Sequence, residues 1–157
     1  MQEQFLQLKE FLDSRNIAYE LSEHEPVYTS VQAAAVRGAA LKTGVKALVF
    51  SIEKTAKKEF ILVLVPADRR ADISRLPDAG SAKLAKPDEV LAVTGCEAGS
   101  VHPFGNLFGL KIFMDKKILE NEYVNFNAGL HTASISMRSS ELVELVKPVL
   151  GCFSIDS

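Results

Sequence analysis

Two runs of β-forming residues, 45–52 (VKALVFSI) and 60–65 (FILVLV), constrain what this chain can fold into more than any other feature. Val, Ile and Phe dominate both, while the link between them, 53–59 (EKTAKKE), is charged. Together they predict an antiparallel hairpin with a loop longer than the tightest turns, and Pro66 ends its second strand. Side chains alternate along a strand, so Lys46 points the same way as Leu48, Phe50 and Ile52. That face is apolar enough to be the buried one. A lysine aimed along it is the least comfortable residue in the sequence.

The elements around the hairpin follow from spacing and capping. Phe5, Leu8, Phe11 and Leu12 recur at helical spacing, with Asn16 as a left-handed terminator. Ile17, Tyr19 and Leu21 alternate as a short strand, and a His24-Glu25-Pro26 turn follows. Thr29 and Gln32 have capping-box spacing at the head of an alanine-rich helix that stops near Gly38. Further along, 72–79 is expected to form a short helix capped by Gly80, 82–85 a strand, and Pro87 the start of a helix that Gly95 ends. Strands are expected at 110–114, 123–126 and 133–137, with a turn at Asn127-Ala128-Gly129. Ser139 or Ser140 caps a last helix running to Lys147. There is no regular β-α-β rhythm and no linker. The fold class expected is mixed α/β (α+β), with a mostly antiparallel sheet and flanking helices in one domain spanning 1–157.

Composition narrows the function. With 157 residues, 47% hydrophobic and 24% charged, the chain has globular values. A formal net charge of −2 argues against a protein that coats nucleic acid or anionic membrane non-specifically. Cys96 and Cys152 lie far apart, without C-x-x-C or a spaced His/Cys cluster, so neither a zinc site nor a redox motif is expected. The N-terminus lacks a signal peptide pattern and no apolar run is long enough to span a bilayer, which predicts a cytoplasmic protein with no membrane partner.

Several candidates for chemistry remain. Lys46 either snorkels from the strand's entry to water, or faces a cleft as a partly desolvated ammonium that binds negative charge or a developing oxyanion. The stretch Gly99, Ser100, Val101, His102, Pro103, Phe104, Gly105 offers backbone donors that side chains would not shield. It is either an ordinary connection or a binding loop, and its glycine spacing matches neither a Walker loop nor a dinucleotide fingerprint. His24, His102 and His131 each flank a turn, which suits exposed or structural roles better than catalysis. Cys96 is a nucleophile only if a base lies close, and no serine sits in a G-x-S-x-G elbow. Arg69, Arg70, Arg75, Lys83 and Lys86 form a modest basic excess, by default a solvated face.

Five marks then occur in a specific order: HEPVYTSVQAA, Lys46 at the head of VKALVF, PADRRADISRL, a G-x-x-x-P loop from Gly99 to Pro103, and a G-x-x-x-x-S-I tail from Gly129 to Ile135. In this order and spacing the chain resembles the YbaK/ProX aminoacyl-tRNA deacylases, which also occur as the editing domain inserted in bacterial prolyl-tRNA synthetases. The resemblance implies a strongly bent, mostly antiparallel central sheet with a pocket between sheet and loops. It implies hydrolysis of the ester joining a wrong amino acid to tRNA, typically tRNA for proline carrying a small residue such as Ala, Cys or Ser, with no metal and no cofactor. The required lysine of the family matches Lys46, and its substrate-holding loop matches Gly99 to Pro103. Through the motifs that contain them, His24, Thr29, Gly129 and His131 join the candidate substrate-binding set. The expected partners are aminoacyl-tRNA and prolyl-tRNA synthetase, and monomer and homodimer both stay open. The rival reading is a non-catalytic module that binds an adenosine-ended RNA or a small molecule, with Lys46 as an anion anchor.

Overall fold

The computed structural model describes residues 2–77 and 79–157. The expected hairpin is its backbone. β2 (Val45–Glu53) and β3 (Lys58–Pro66) pair antiparallel in unbroken register from Val45↔Pro66 to Glu53↔Lys58. β3 runs through the middle of a five-stranded sheet ordered β5-β2-β3-β6-β9, and its Ile61, Leu62, Val63, Leu64 and Val65 are all buried. A strand covered on both faces reads as a continuous apolar run, which is why FILVLV shows no alternation. Leu62 and Leu64 face the larger core with Val45 and Val49, whereas Ile61, Val63 and Val65 face a smaller one with Phe50 and Ile52. Lys46 shares the side of Phe50 and Ile52, as the alternation predicts.

The other strands of this sheet are β5 (Ala82–Leu84), β6 (Lys111–Asp115) and β9 (Val149–Gly151), of which β6 and β9 run parallel to their neighbours. A second, antiparallel sheet has the order β1-β8-β7, formed by Tyr19–Glu23, Ala133–Arg138 and Tyr123–Leu130. The two sheets meet at an isolated bridge between Gly44 and Asn125, so the bend expected of one sheet is realised where two sheets join. Gly44 is required there: a Cβ would sit 2.9 Å from that of Ala67. A third, two-stranded sheet pairs β4 (Arg69–Ala71) with β10 (Ser154–Asp156). Pairing is mostly antiparallel, and the class is mixed α/β.

Helix α1 (Gln2–Ser14) buries Leu8 and Leu12 completely, and Asn16 leaves it at φ 54°. Helix α2 (Ser30–Arg37) is capped by the Thr29 hydroxyl, which accepts from the Gln32 amide at 3.1 Å, and Gly38 ends it in the left-handed region. The Gln32 side chain reaches back one residue further than a capping box, to the Tyr28 amide. α3 (Pro87–Thr94) and α4 (Ser139–Val146) complete the layers.

Three expectations are corrected. The expected turn at Asn127-Ala128-Gly129 is strand: β7 continues to Leu130 through a register shift that Gly129 absorbs at φ 88°, and the chain reverses at 131–132 instead. The expected 72–79 helix is instead a 3-10 turn, Ile73–Arg75, with another, Ala79–Ser81, at its far end; Asp72 folds its carboxylate onto Ser74 and Arg75, and Asp78 lies outside the described residues. Ser139 does not cap α4 with its side chain. Its hydroxyl donates to the Asn121 carbonyl, which ties the helix to the preceding loop.

Candidate active site

Helix α2 turns one narrow face toward the start of β2. Ser30, Ala33, Ala34 and Arg37, spaced i, i+3, i+4 and i+7, all line a cavity of about 200 Å³. Opposite stand Val45, Lys46, Ala47 and Leu48 of β2, with Gly99, Val101, Asn125 and Asn127 forming the remaining wall. Tyr28 and Thr29 are at the rim, and Tyr28 is 69% exposed. The alanines that thin α2 are what leave the space. Among the described residues, none that lines this cavity is an acid.

Two cations line it. Lys46 turns its ammonium to the main-chain carbonyl of Arg69 at the start of β4. Burial lowers its pKa below that of a free lysine, and the nearby charge of Asp68 partly opposes that shift. The ammonium is neither snorkelled free nor ion-paired. Arg69 is fixed in turn: its guanidinium donates to the Ser154 hydroxyl at 2.8 Å and to Asp156 at 2.6 Å. Ser154 donates to the buried Asp115 carboxylate, which also accepts the Phe153 amide. The chain's last strand therefore stands behind the carbonyl that holds Lys46.

Arg37 is the residue that sequence reasoning missed. Its Nε donates to Ser134 Oγ at 2.8 Å, one terminal nitrogen to Asn125 Oδ1 at 2.9 Å, and the other to Asn127 Oδ1 at 3.0 Å. All three partners are neutral. Burial pushes its pKa down to about 10. The amide groups carry the connection onward: Asn127 donates to the Gly99 carbonyl at 2.7 Å and Asn125 to the Thr43 hydroxyl at 2.8 Å. One guanidinium thus joins α2, β7, β8 and the 99–101 wall. Two signals were present in the sequence. Arg37 is the only long charged side chain in SVQAAAVR, and Asn125 and Asn127 lie two apart in a strand, hence on one face.

The remaining candidates divide. Lys46, Thr29, Gly99 and Val101 line the cavity together. His24 does not, but it supports the wall: Nδ1 meets the Glu25 carbonyl at 2.8 Å and Nε2 the Ser134 hydroxyl at 2.7 Å. A carbonyl only accepts, so the ring proton belongs on Nδ1, and Ser134 passes a hydrogen bond from Arg37 to His24. His131 packs behind the rim with its ring 4.6 Å from that of Tyr28 and Nδ1 on the Val27 carbonyl. Gly129, in the bulge, packs near His102 and the backbone of Phe5 and lies off the cavity. Ser100 is buried and returns its hydroxyl to Glu97.

His102 and Pro103 do not line the cavity. Both are buried away from the cavity, because the loop after Val101 turns into the core. The His102 ring stacks on Phe108 at 4.5 Å, accepts the Phe104 amide at Nδ1, and has no partner at Nε2. Burial drops its pKa to about 3, so it is a neutral core residue. Cys96 is fully buried and its thiol is pushed up, the wrong direction for a nucleophile. Within the basic excess, Arg69, Arg75 and Lys83 pair with Asp156, Asp72 and Glu53. Among the described residues no group of three His, Cys, Asp or Glu is placed to hold a metal, and no helix is long and apolar enough to cross a membrane.

The sequence and the fold are shared with known proteins. The family model for the aminoacyl-tRNA editing domain matches residues 24–145. A curated relative, the multifunctional Ser/Thr-tRNA deacylase ProXp-y of Escherichia coli (strain K12), is 30% identical over 146 residues, covering 90% of this chain and 87% of the relative. A crystal structure described as a proposed trans-editing enzyme for prolyl-tRNA synthetase superposes with a TM-score of 0.83 at 26% identity, over 99% of both chains. That of a hypothetical protein gives 0.83 at 26% identity, over 94% of this chain and 99% of the other. The chain belongs to the aminoacyl-tRNA editing domain family. It is an aminoacyl-tRNA deacylase, an ester hydrolase of translation fidelity.

Proposed function

We propose that the cavity receives the aminoacyl end of a mischarged tRNA, that Lys46 is the catalytic residue, and that the Gly99–Val101 backbone holds the ester beside it. The observation that carries this reading is a cavity with two desolvated cations, no lining acid and an exposed-backbone wall. Such a site favours charge that develops on the carbonyl oxygen as water attacks. Lys46 spends one donor on Arg69 and keeps two for the substrate carbonyl or the terminal phosphate. Among the described lining residues there is no carboxylate or imidazole to act as a general base. Attack draws instead on positioning, on the activated ester, and on the ribose hydroxyl next to it. The exposed Tyr28 ring at the rim is placed to stack on the terminal adenine.

A cavity lined by Ala33 and Ala34 suits small aminoacyl groups, and the relative acting on Ser- and Thr-tRNA supports serine and threonine ahead of the alanine and cysteine also expected from the sequence. Proline tRNA and prolyl-tRNA synthetase are the proposed context, with the cytoplasm as the site of action. The test is turnover of a mischarged-tRNA panel at low enzyme concentration by the wild type and by Lys46→Ala. Multiple turnovers that vanish in the variant support the enzyme. Stoichiometric binding without product favours the binding module.

A further inference from the structure

The small residues of α2 lead to Arg37, and the cavity wall beyond it is polar. Arg37, Asn125 and Asn127 all line the cavity, and Ser134 closes behind them. Guanidinium carries five N–H donors in a fixed fork. Three are taken by Ser134, Asn125 and Asn127, which leaves two, and among the described residues no carboxylate meets the charge. The anchoring groups are themselves withdrawn from water, Asn125 at 8% and Ser134 at 2% exposure. Val27, Ala33, Val45 and Val101 give the cavity apolar walls elsewhere, but this polar corner does not suit an aliphatic group. An apolar side chain pushed against it would strip water from donors and give nothing back.

The amino acid is the far end of a charged tRNA, so its side chain is the part of the substrate that reaches furthest into the cavity. Resting on the deacylase reading above, we propose that Arg37 is a specificity-determining residue that donates to a hydroxyl on the aminoacyl side chain, so that the site selects hydroxyl-bearing amino acids over aliphatic ones of equal size. A hydroxyl oxygen can accept from the two remaining donors without bringing a second charge that has to be desolvated. The guanidinium, already held by three neutral oxygens, needs only acceptors. The fork also sets where the hydroxyl must lie, because Asn127 ties Arg37 to the Gly99 carbonyl and hence to the wall that holds the ester.

The experiment uses one tRNA body charged in turn with Thr, Val, Ser and Ala, and compares kcat/KM. Thr and Val have the same shape, so their ratio isolates the hydroxyl. The wild type is expected to favour Thr over Val and Ser over Ala by roughly 100-fold or more, as sites built to bond a hydroxyl do. Arg37→Met is expected to lower both ratios at least tenfold, with Arg37→Lys in between because an ammonium lacks the fork. Hydrolysis of all four esters at similar rates by the wild type overturns the proposal and leaves the deacylase reading standing. Equal loss on all four in Arg37→Met also overturns it, since that is what a purely structural arginine gives. Should Arg37→Met fail to fold, the wild-type Thr/Val ratio and Arg37→Lys decide. Hydrolysis of none of the four by the wild type overturns both readings.

Discussion

Two cations share one cavity and are held in opposite ways. Lys46 is fixed by one main-chain carbonyl and keeps two donors free; Arg37 is fixed by three side chains from β7 and β8 and has little freedom left. An ammonium on a flexible stem adjusts to charge that appears during a reaction, whereas a locked fork presents a fixed pattern to whatever arrives. On the function proposed above, the β2–β4 side of the cavity carries the chemistry and the α2–β7–β8 side the recognition. That division explains why a single chain needs both: electrostatic help alone would hydrolyse correct and incorrect esters alike.

The largest expected effect comes from the first side. Lys46→Ala should lower kcat/KM by about 10²–10³-fold on every substrate of the panel, the scale of losing one donor to a developing oxyanion. Thermal unfolding should show a folded protein, because Lys46 contributes only one hydrogen bond at the strand's entry. A variant that retains the wild-type rate would end the case for Lys46. Asn127→Ala probes the second side. It cuts both Arg37 and the Gly99 carbonyl loose from one amide, so a loss of roughly tenfold is expected with selectivity damaged as well, the pattern of a misplaced rather than missing group. If Asn127→Ala matches Lys46→Ala in depth and is blind to the side chain, the division between the sides fails.

The 99–105 loop belongs to both sides and splits in the middle. Gly99 and Val101 line the cavity, while His102 faces Phe104 and Phe108 in the core. The buried half should therefore report on stability. His102 titrates near 3 when folded and near 6.5 in an unfolded chain. A base whose folded pKa is depressed leaves the native state unprotonated while the unfolded state takes up a proton, so its contribution is full above 6.5 and is lost as the pH falls toward 3. The expected slope is about 1.4 kcal/mol per pH unit across that window. Urea unfolding at pH 7, 5.5 and 4.5 reads it, and His102→Asn, which keeps an acceptor for the Phe104 amide, should flatten it. An unchanged slope in that variant means other groups carry the acid lability.

What the sequence made legible follows the range of the interactions. The β2–β3 hairpin, α1 with Asn16, the Thr29 cap and the placement of Lys46 all rest on residues close in the chain, where period and capping chemistry decide. Strands β4, β9 and β10 have three residues each, too few to show alternation, and they escaped notice. Gly129 looked like a turn because glycine signals a left-handed residue; only the partner strand β8 shows that the residue serves a bulge. His102 looked like a loop histidine because the burial comes from the whole core around it. The site itself was half legible. Lys46 and Gly99 announce themselves by an awkward position and a shaped loop, but Arg37 is defined by partners about ninety residues away, and no local pattern encodes that.

The smallest effect is the sharpest on mechanism. Burial lowers the pKa of Lys46, and the charge of Asp68 raises it again. If the ammonium is the working form, log kcat/KM must fall at alkaline pH with the titration of Lys46, below the range of a free lysine. Asp68→Asn removes the opposing charge and leaves the burial, so Lys46 loses its proton at lower pH and the alkaline limb moves down. Aminoacyl esters hydrolyse in base unaided, so the enzyme-free rate must be subtracted at each pH. A limb that stays in place, or moves up, would mean that the charge on Lys46 is not what the reaction uses, and the β2–β4 side of the cavity would have to act through shape alone.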